Sequence, residues 1–137
     1  MWKLPEAGGD AIQVTRDGGL APLESQDGKF IYFGKALGAS VWRLPVEGGQ
    51  ATKLIENVSD PQNLAIASKG IYFVPQQSLA LGSSIEFLDF TTNQTKRVAS
   101  FAKPFSSGLT LSPDGRWILY TQVDREGAEL RLVENFR

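Results

Sequence analysis

The chain contains neither cysteine nor histidine among its 137 residues. Without cysteine there is no disulfide framework and no thiolate nucleophile. Without histidine, Ser-His-Asp and Cys-His catalysis, HExxH zinc sites and the usual proton shuttle are excluded. An enzyme built on this chain would have to work with carboxylates, Lys, Tyr or Ser alone. No sign of charge dominates: 14 basic and 15 acidic side chains leave a net charge of -1, so the composition directs the chain neither to nucleic acid nor to a membrane surface. No apolar run approaches the roughly 20 residues of a spanning helix, and the opening "MWKLPEAGG" lacks the basic-then-apolar order of a secretory signal. No GxxxxGK[ST], GxGxxG or EF-hand spacing occurs, and no cofactor or metal is expected.

What the chain does have is repetition. "DGKFIYF" (Asp27 to Phe33) returns as "DGRWILY" (Asp114 to Tyr120), and "ASKGIYF" (Ala67 to Phe73) fits the same frame between them. Offsets of 40 and 47 residues separate positions 27, 67 and 114. "WKLPEAGGDA" (Trp2 to Ala11) returns 40 residues later as "WRLPVEGGQA" (Trp42 to Ala51), "EFLDFTTNQT" (Glu86 to Thr95) is a degenerate third copy, and "RLVENF" (Arg131 to Phe136) a truncated fourth. Short strands at such a period point to propeller blades. Local chemistry agrees. The Asp-Gly and Gly-Gly pairs supply the positive φ of tight hairpins, and runs such as Ile31-Tyr32-Phe33 and Ile71-Tyr72-Phe73-Val74 suit strands covered on both faces. No segment holds a helical period over three turns.

The expectation is an all-β fold, a β-propeller of four-stranded antiparallel blades, with about three blades in this chain. Lettering strands A to D from the inside outward, Trp2 to Thr15 supplies C and D. Full blades run from Ala21 to Ile55 and from Gln62 to about Phe101, and Gly108 to Asn135 supplies A, B and C.

"LSPDGRWILYTQ" followed by "GAELRLVE" resembles the TolB-type, WD-like β-propeller repeat, which pairs an S-P-D-G-[KR] turn with an I-x-[FY] strand, then an apolar strand and a Gly-Gly turn. The copy at Gln26 to Phe33 reads as having lost the Ser-Pro, and that at Ile66 to Phe73 the whole turn. The C-terminal "DGRWILYTQVDREGAELRLVENFR" also resembles the end of bacterial regulators that join a winged-helix DNA-binding domain to such a propeller. The resemblance implies a C-terminal sensor or interaction part, with DNA binding left to another domain, and it leaves cytoplasm and periplasm equally open.

Several features have both a functional and a structural reading. Asp27 and Asp114 sit beside Gly, where Asp caps its own turn. Trp2, Trp42 and Trp117 occupy strand slots, so packing between blades is expected of them rather than ligand stacking. "NVS" (Asn57 to Ser59) and "NQT" (Asn93 to Thr95) match the glycosylation triplet but read as turns. "VDREGAE" (Val123 to Glu129) matches no calcium loop and reads as a solvated hairpin tip. Phe105 stands in an otherwise polar loop, where it either marks a contact surface or tucks under a blade.

The functional expectation is a non-catalytic scaffold for a protein or peptide partner, using loops on rigid strands. The D-to-A loops (Arg16 to Gly19, Glu56 to Asp60, Ala102 to Ser107) carry the candidate contacts Arg16, Asp17, Asn57, Asp60, Lys103 and Ser106. The alternative is a propeller enzyme of the lyase or glycosidase type, or the gating propeller of a peptidase. Three blades do not close a ring. Either a second chain completes it, giving a homodimer in which half-blades join, or blades outside this chain do. In the dimer, Glu129 to Glu134 would compete with Trp2 to Leu4 for one strand position.

Overall fold

The computed structural model describes residues 1–35, 39–76 and 82–124. Twelve strands and no helix occur among them. β1 (Trp2–Lys3) and β2 (Ile12–Gln13) form one antiparallel pair. β3 (Leu20–Glu24), β4 (Phe30–Lys35), β5 (Ser40–Pro45) and β6 (Thr52–Ile55) form a four-stranded meander. β7 (Leu64–Ala67), β8 (Gly70–Phe73), β9 (Ser83–Asp89) and β10 (Thr95–Phe101) form a second. β11 (Phe105–Leu111) and β12 (Ile118–Gln122) close the series as a pair. Among the described residues this is an open β-propeller: two four-stranded blades flanked by the two-stranded pairs β1–β2 and β11–β12. The strand expected from Glu129 to Glu134 lies outside the described residues.

The turns explain why these strands form where they do. At the β3–β4 turn the Ser25 hydroxyl donates to Asp27 Oδ1 at 2.7 Å, Lys29 N–H donates to the same oxygen at 3.2 Å, and Phe30 N–H donates to Ser25 Oγ at 2.9 Å. The β11–β12 turn repeats the pattern. Ser112 Oγ–H donates to Asp114 Oδ1 at 2.6 Å, Arg116 N–H donates to that oxygen at 3.1 Å, and Trp117 N–H donates to Ser112 Oγ at 2.9 Å. Gly28 and Gly115 stand at φ 68° and 69°, the left-handed region that glycine enters without steric cost. Only the proline of the Ser-Pro is missing from the first copy, because Ser25 does there what Ser112 does in the other. Asn57 and Asn93 also adopt positive φ (57° and 55°), but Val58 bridges to Pro75 and Thr95 opens the last strand of the second blade, so each triplet is only partly a turn.

The blades stack through their faces. Tyr32, Val41 and Ile55 of the first complete blade interlock with Leu64, Ile71, Phe73 and Leu88 of the second, with Val58 from the connection between them. A second cluster joins Ala65, Val74 and Ile85 to Leu109 of the last half-blade. Burying each large side chain stabilises by about 1.5–3 kcal/mol, so the inter-blade seams carry the fold. Phe105 belongs to the second seam: it lies in β11, where a loop was expected, and its ring stacks on Tyr120 at 6.4 Å. Its N–H donates to Ser83 Oγ at 3.0 Å, which extends the strand three residues ahead of the expected start at Gly108.

The tryptophans divide. Trp42 is half-buried, with Lys35 Nζ 4.3 Å from its ring centroid. Trp2 and Trp117 are 65% and 64% exposed, so neither packs between blades within the chain. Both lie at the ends of the arc, where Leu4, Ile12 and Leu119 are exposed as well.

Candidate binding surfaces

In an antiparallel meander the D-to-A and B-to-C connections leave the blade at one end, and the A-to-B and C-to-D turns at the other. All six candidate residues therefore belong to one end of the arc, but their surroundings differ. Arg16 and Asp17 lie in an exposed turn held by the Thr15 hydroxyl, which donates to Gly18 O at 2.7 Å. Their own side chains make no hydrogen bond or ion pair among the described residues. Asn57 is exposed, and its backbone carbonyl accepts from Gln76 N–H at 2.6 Å.

Asp60 is half-buried and builds the turn into β7. Its Oδ1 accepts from Gln62 N–H at 2.9 Å, and its Oδ2 from Asn63 Nδ2 at 3.5 Å. Asn63 in turn is buried, and its Oδ1 accepts from Gly108 N–H at 2.8 Å, tying β11 to the neighbouring blade. Lys103 pairs with Asp124 Oδ1 at 2.7 Å across the exposed rim, where solvent screens the attraction. Ser106 is exposed but lies within β11 rather than in a loop. Among the described residues the side chains of Arg16, Asp17 and Ser106 are thus unengaged, and Asp60 and Lys103 have structural partners.

The arc also forms clefts away from these residues. The inner strands β3, β7 and β11 present a shared wall, each with one edge free of a strand partner. A cleft of about 310 Å³ opens there between Leu23, Glu24, Ile66, Leu109, Thr110 and Ser112. Two more, each of about 250 Å³, lie at the end carrying the A-to-B turns. None of the three is lined by any of the six candidates. Gln26 borders all three clefts, yet nothing in its local sequence marks it, because the clefts arise where turns of successive blades meet.

The chemistry of the carboxylates is that of turns and surface pairs. The Ser112 hydroxyl, and then Arg116 N–H, hold Asp114 below the ordinary aspartate range, and Ser25 and Lys29 N–H do the same for Asp27. The N–H groups of Thr92 and Thr91 lower Asp89. Lys103 and Gln122 lower Asp124, and Lys53 lowers Glu56. A general acid at neutral pH needs the opposite shift. Among the described residues no group of His, Cys, Asp and Glu has the arrangement of a metal site, and no helix is long and apolar enough to cross a membrane.

No protein-family model matches the chain, and no curated protein does. Among solved structures, TolB from Acinetobacter baumannii superimposes with a TM-score of 0.71 at 19% sequence identity. The match covers 93% of this chain and 32% of that one, so this chain spans about a third of the length of that propeller protein. The fold is therefore a TolB-like β-propeller.

Proposed function

We propose that this chain is a non-catalytic binding scaffold for a protein or peptide, the C-terminal sensor or interaction part of a larger bacterial regulator. The observation that carries the reading is the wall of β3, β7 and β11. Three strands with free backbone edges face one cleft, and edge N–H and C=O groups are what an extended peptide recognises. Arg16 and Asp17 add charged groups that have no ion-pair partner among the described residues. Nucleic-acid contact is assigned to another domain, because 14 basic against 15 acidic side chains give no overall excess of positive charge.

Peptides selected for affinity against the chain, followed by hydrogen-exchange mapping, test this. Protection is expected along β3, β7 and β11 and in residues 14–19, and Arg16→Ala should weaken binding without changing the melt. Protection confined to the Gly8-Gly9 and Gly48-Gly49 turns would place the site on the outer edge and refute the reading. Turnover of a glycosidase, lyase or esterase substrate that vanished on changing Asp60 would favour the enzymatic alternative.

A homodimer is part of the same proposal. Exposed Trp2, Leu4 and Ile12 at one end and Trp117 and Leu119 at the other are edges of complementary half-blades. Light scattering should show twice the monomer mass, whereas a monomer with a cooperative melt across the working concentration range would dismiss the dimer.

A further inference from the structure

Arg43 is the cation in the seam between the two complete blades. It sits on β5 opposite Tyr32 of β4, is half-buried, and lays its guanidinium over the Phe30 ring at 4.6 Å. No carboxylate pairs with it among the described residues. Phe90 of the second blade stacks on Tyr32 at 5.4 Å and 4°. These four side chains line a slot of about 250 Å³ together with Ser25, Gln26, Asp27, Ala67 and Ser68. Burial pushes the Tyr32 phenol above its ordinary value while the neighbouring Arg43 pulls it back, so the hydroxyl keeps its proton and remains a donor at neutral pH.

We propose that this slot binds a small monocarboxylate, with the Arg43 guanidinium as its anchor and the Tyr32 hydroxyl as a second donor. A half-buried guanidinium without a counter-ion favours an anion that presents two parallel oxygens. Charge selects the class. Arg43 and Asp27 are the charged groups lining the slot, and Asp27 is already engaged by Lys29 Nζ at 3.6 Å. One cation matches one carboxylate and leaves the second charge of a phosphate uncompensated. Size narrows it further, since about 250 Å³ lies below the roughly 300–1,000 Å³ of pockets for drug-sized ligands. Such a carboxylate is carried by a free organic acid or by the last residue of a peptide. The slot lies at the opposite end of the blades from the D-to-A rim and shares Gln26 with the cleft of the scaffold reading.

Titration of the ¹⁵N-labelled full chain with benzoate and with N-acetylphenylalanine tests the assignment. At least one should give saturable shifts at the amides of Ala67, Ser68 and Phe90, and the uncharged analogue of that probe should give none. Arg43→Gln should weaken binding by about tenfold or more, the scale of a lost charge-assisted bond, and Arg43→Lys, which keeps the charge and the fold, by less. Stronger binding of N-acetylphenylalanine would identify a peptide terminus, and stronger binding of benzoate a free acid. Absence of saturable shifts with both probes, equal binding of the uncharged analogue, or wild-type affinity in both variants would overturn the proposal.

Discussion

Gly34 tests whether the blades are locked by backbone contact as well as by side-chain packing. It lies in β4, paired with Leu20 on one side and Val41 on the other. A methyl group built there would stand 2.3 Å from Pro61 O, 2.5 Å from Pro61 Cβ and 2.8 Å from Pro61 C. Relief requires the 56–63 connection to retreat by about 1 Å, to ordinary contact. That connection is not free to move. Asp60 holds Gln62 N–H, Asn63 N–H donates to Asp60 O at 3.0 Å, and Val58 and Leu64 on either side are buried in the seam. Overpacking of this kind costs about 1–3 kcal/mol, with this contact at the upper end because it meets backbone. Gly34→Ala should therefore lower the urea midpoint by about 1.5 M for a slope of roughly 2 kcal/mol per molar. Adding Pro61→Gly should not rescue it, since the carbonyl contact persists. A change in Gly34→Ala below about 0.5 kcal/mol, the range of an unconstrained surface site, would refute the locked seam.

Gly115→Ala, where nothing lies within 4 Å of the new methyl and only φ 69° is violated, should cost roughly 1 kcal/mol and leave the seams intact by near-ultraviolet circular dichroism. Asn63→Ala removes the acceptor for Gly108 N–H and should cost about 1–3 kcal/mol, with faster amide exchange at Gly108 and Leu109 as its local signature. The aspartates give an acid limb. Asp27 and Asp114 are held below the ordinary value of about 3.9, so the folded chain binds fewer protons than the unfolded one in that interval. Their contribution is complete above about pH 4 and is lost as pH falls through the lowered folded values. The double change Asp27→Asn and Asp114→Asn should flatten stability against pH below 4 in denaturant titrations, and Asp114→Asn alone should fold normally at pH 7.

How much was legible in the sequence depended on the range of the force involved. Asp114-Gly115 could be read as a turn because positive φ and the Asp cap act within five residues. The strand runs could be read because side chains covered on both faces need continuous apolar stretches. The start of β11 could not be read: Phe105 looks like a loop residue until Ser83 and Tyr120 are beside it. Ser25 was hidden by the absence of the following proline, although its hydrogen bonds need no proline. Asp60 and Lys103 looked like free rim contacts because their partners, Asn63 and Asp124, are recruited by folding.

The sequence by itself determined the repeat, the turns and the propeller class, because a blade is a meander whose hairpins are specified by neighbouring residues. Tertiary structure decided which surfaces are available. Trp42 is half-covered while Trp2 stands exposed in a nearly identical local sequence, because Trp42 lies within a four-stranded blade and Trp2 in a two-stranded pair. Gly34 needs its missing methyl because Pro61, distant in the chain, crosses it. Tyr32 meets Phe90 across a seam between repeats about 40 residues apart. Burial and steric exclusion act between whatever surfaces the fold brings together, and the local pattern does not encode that juxtaposition.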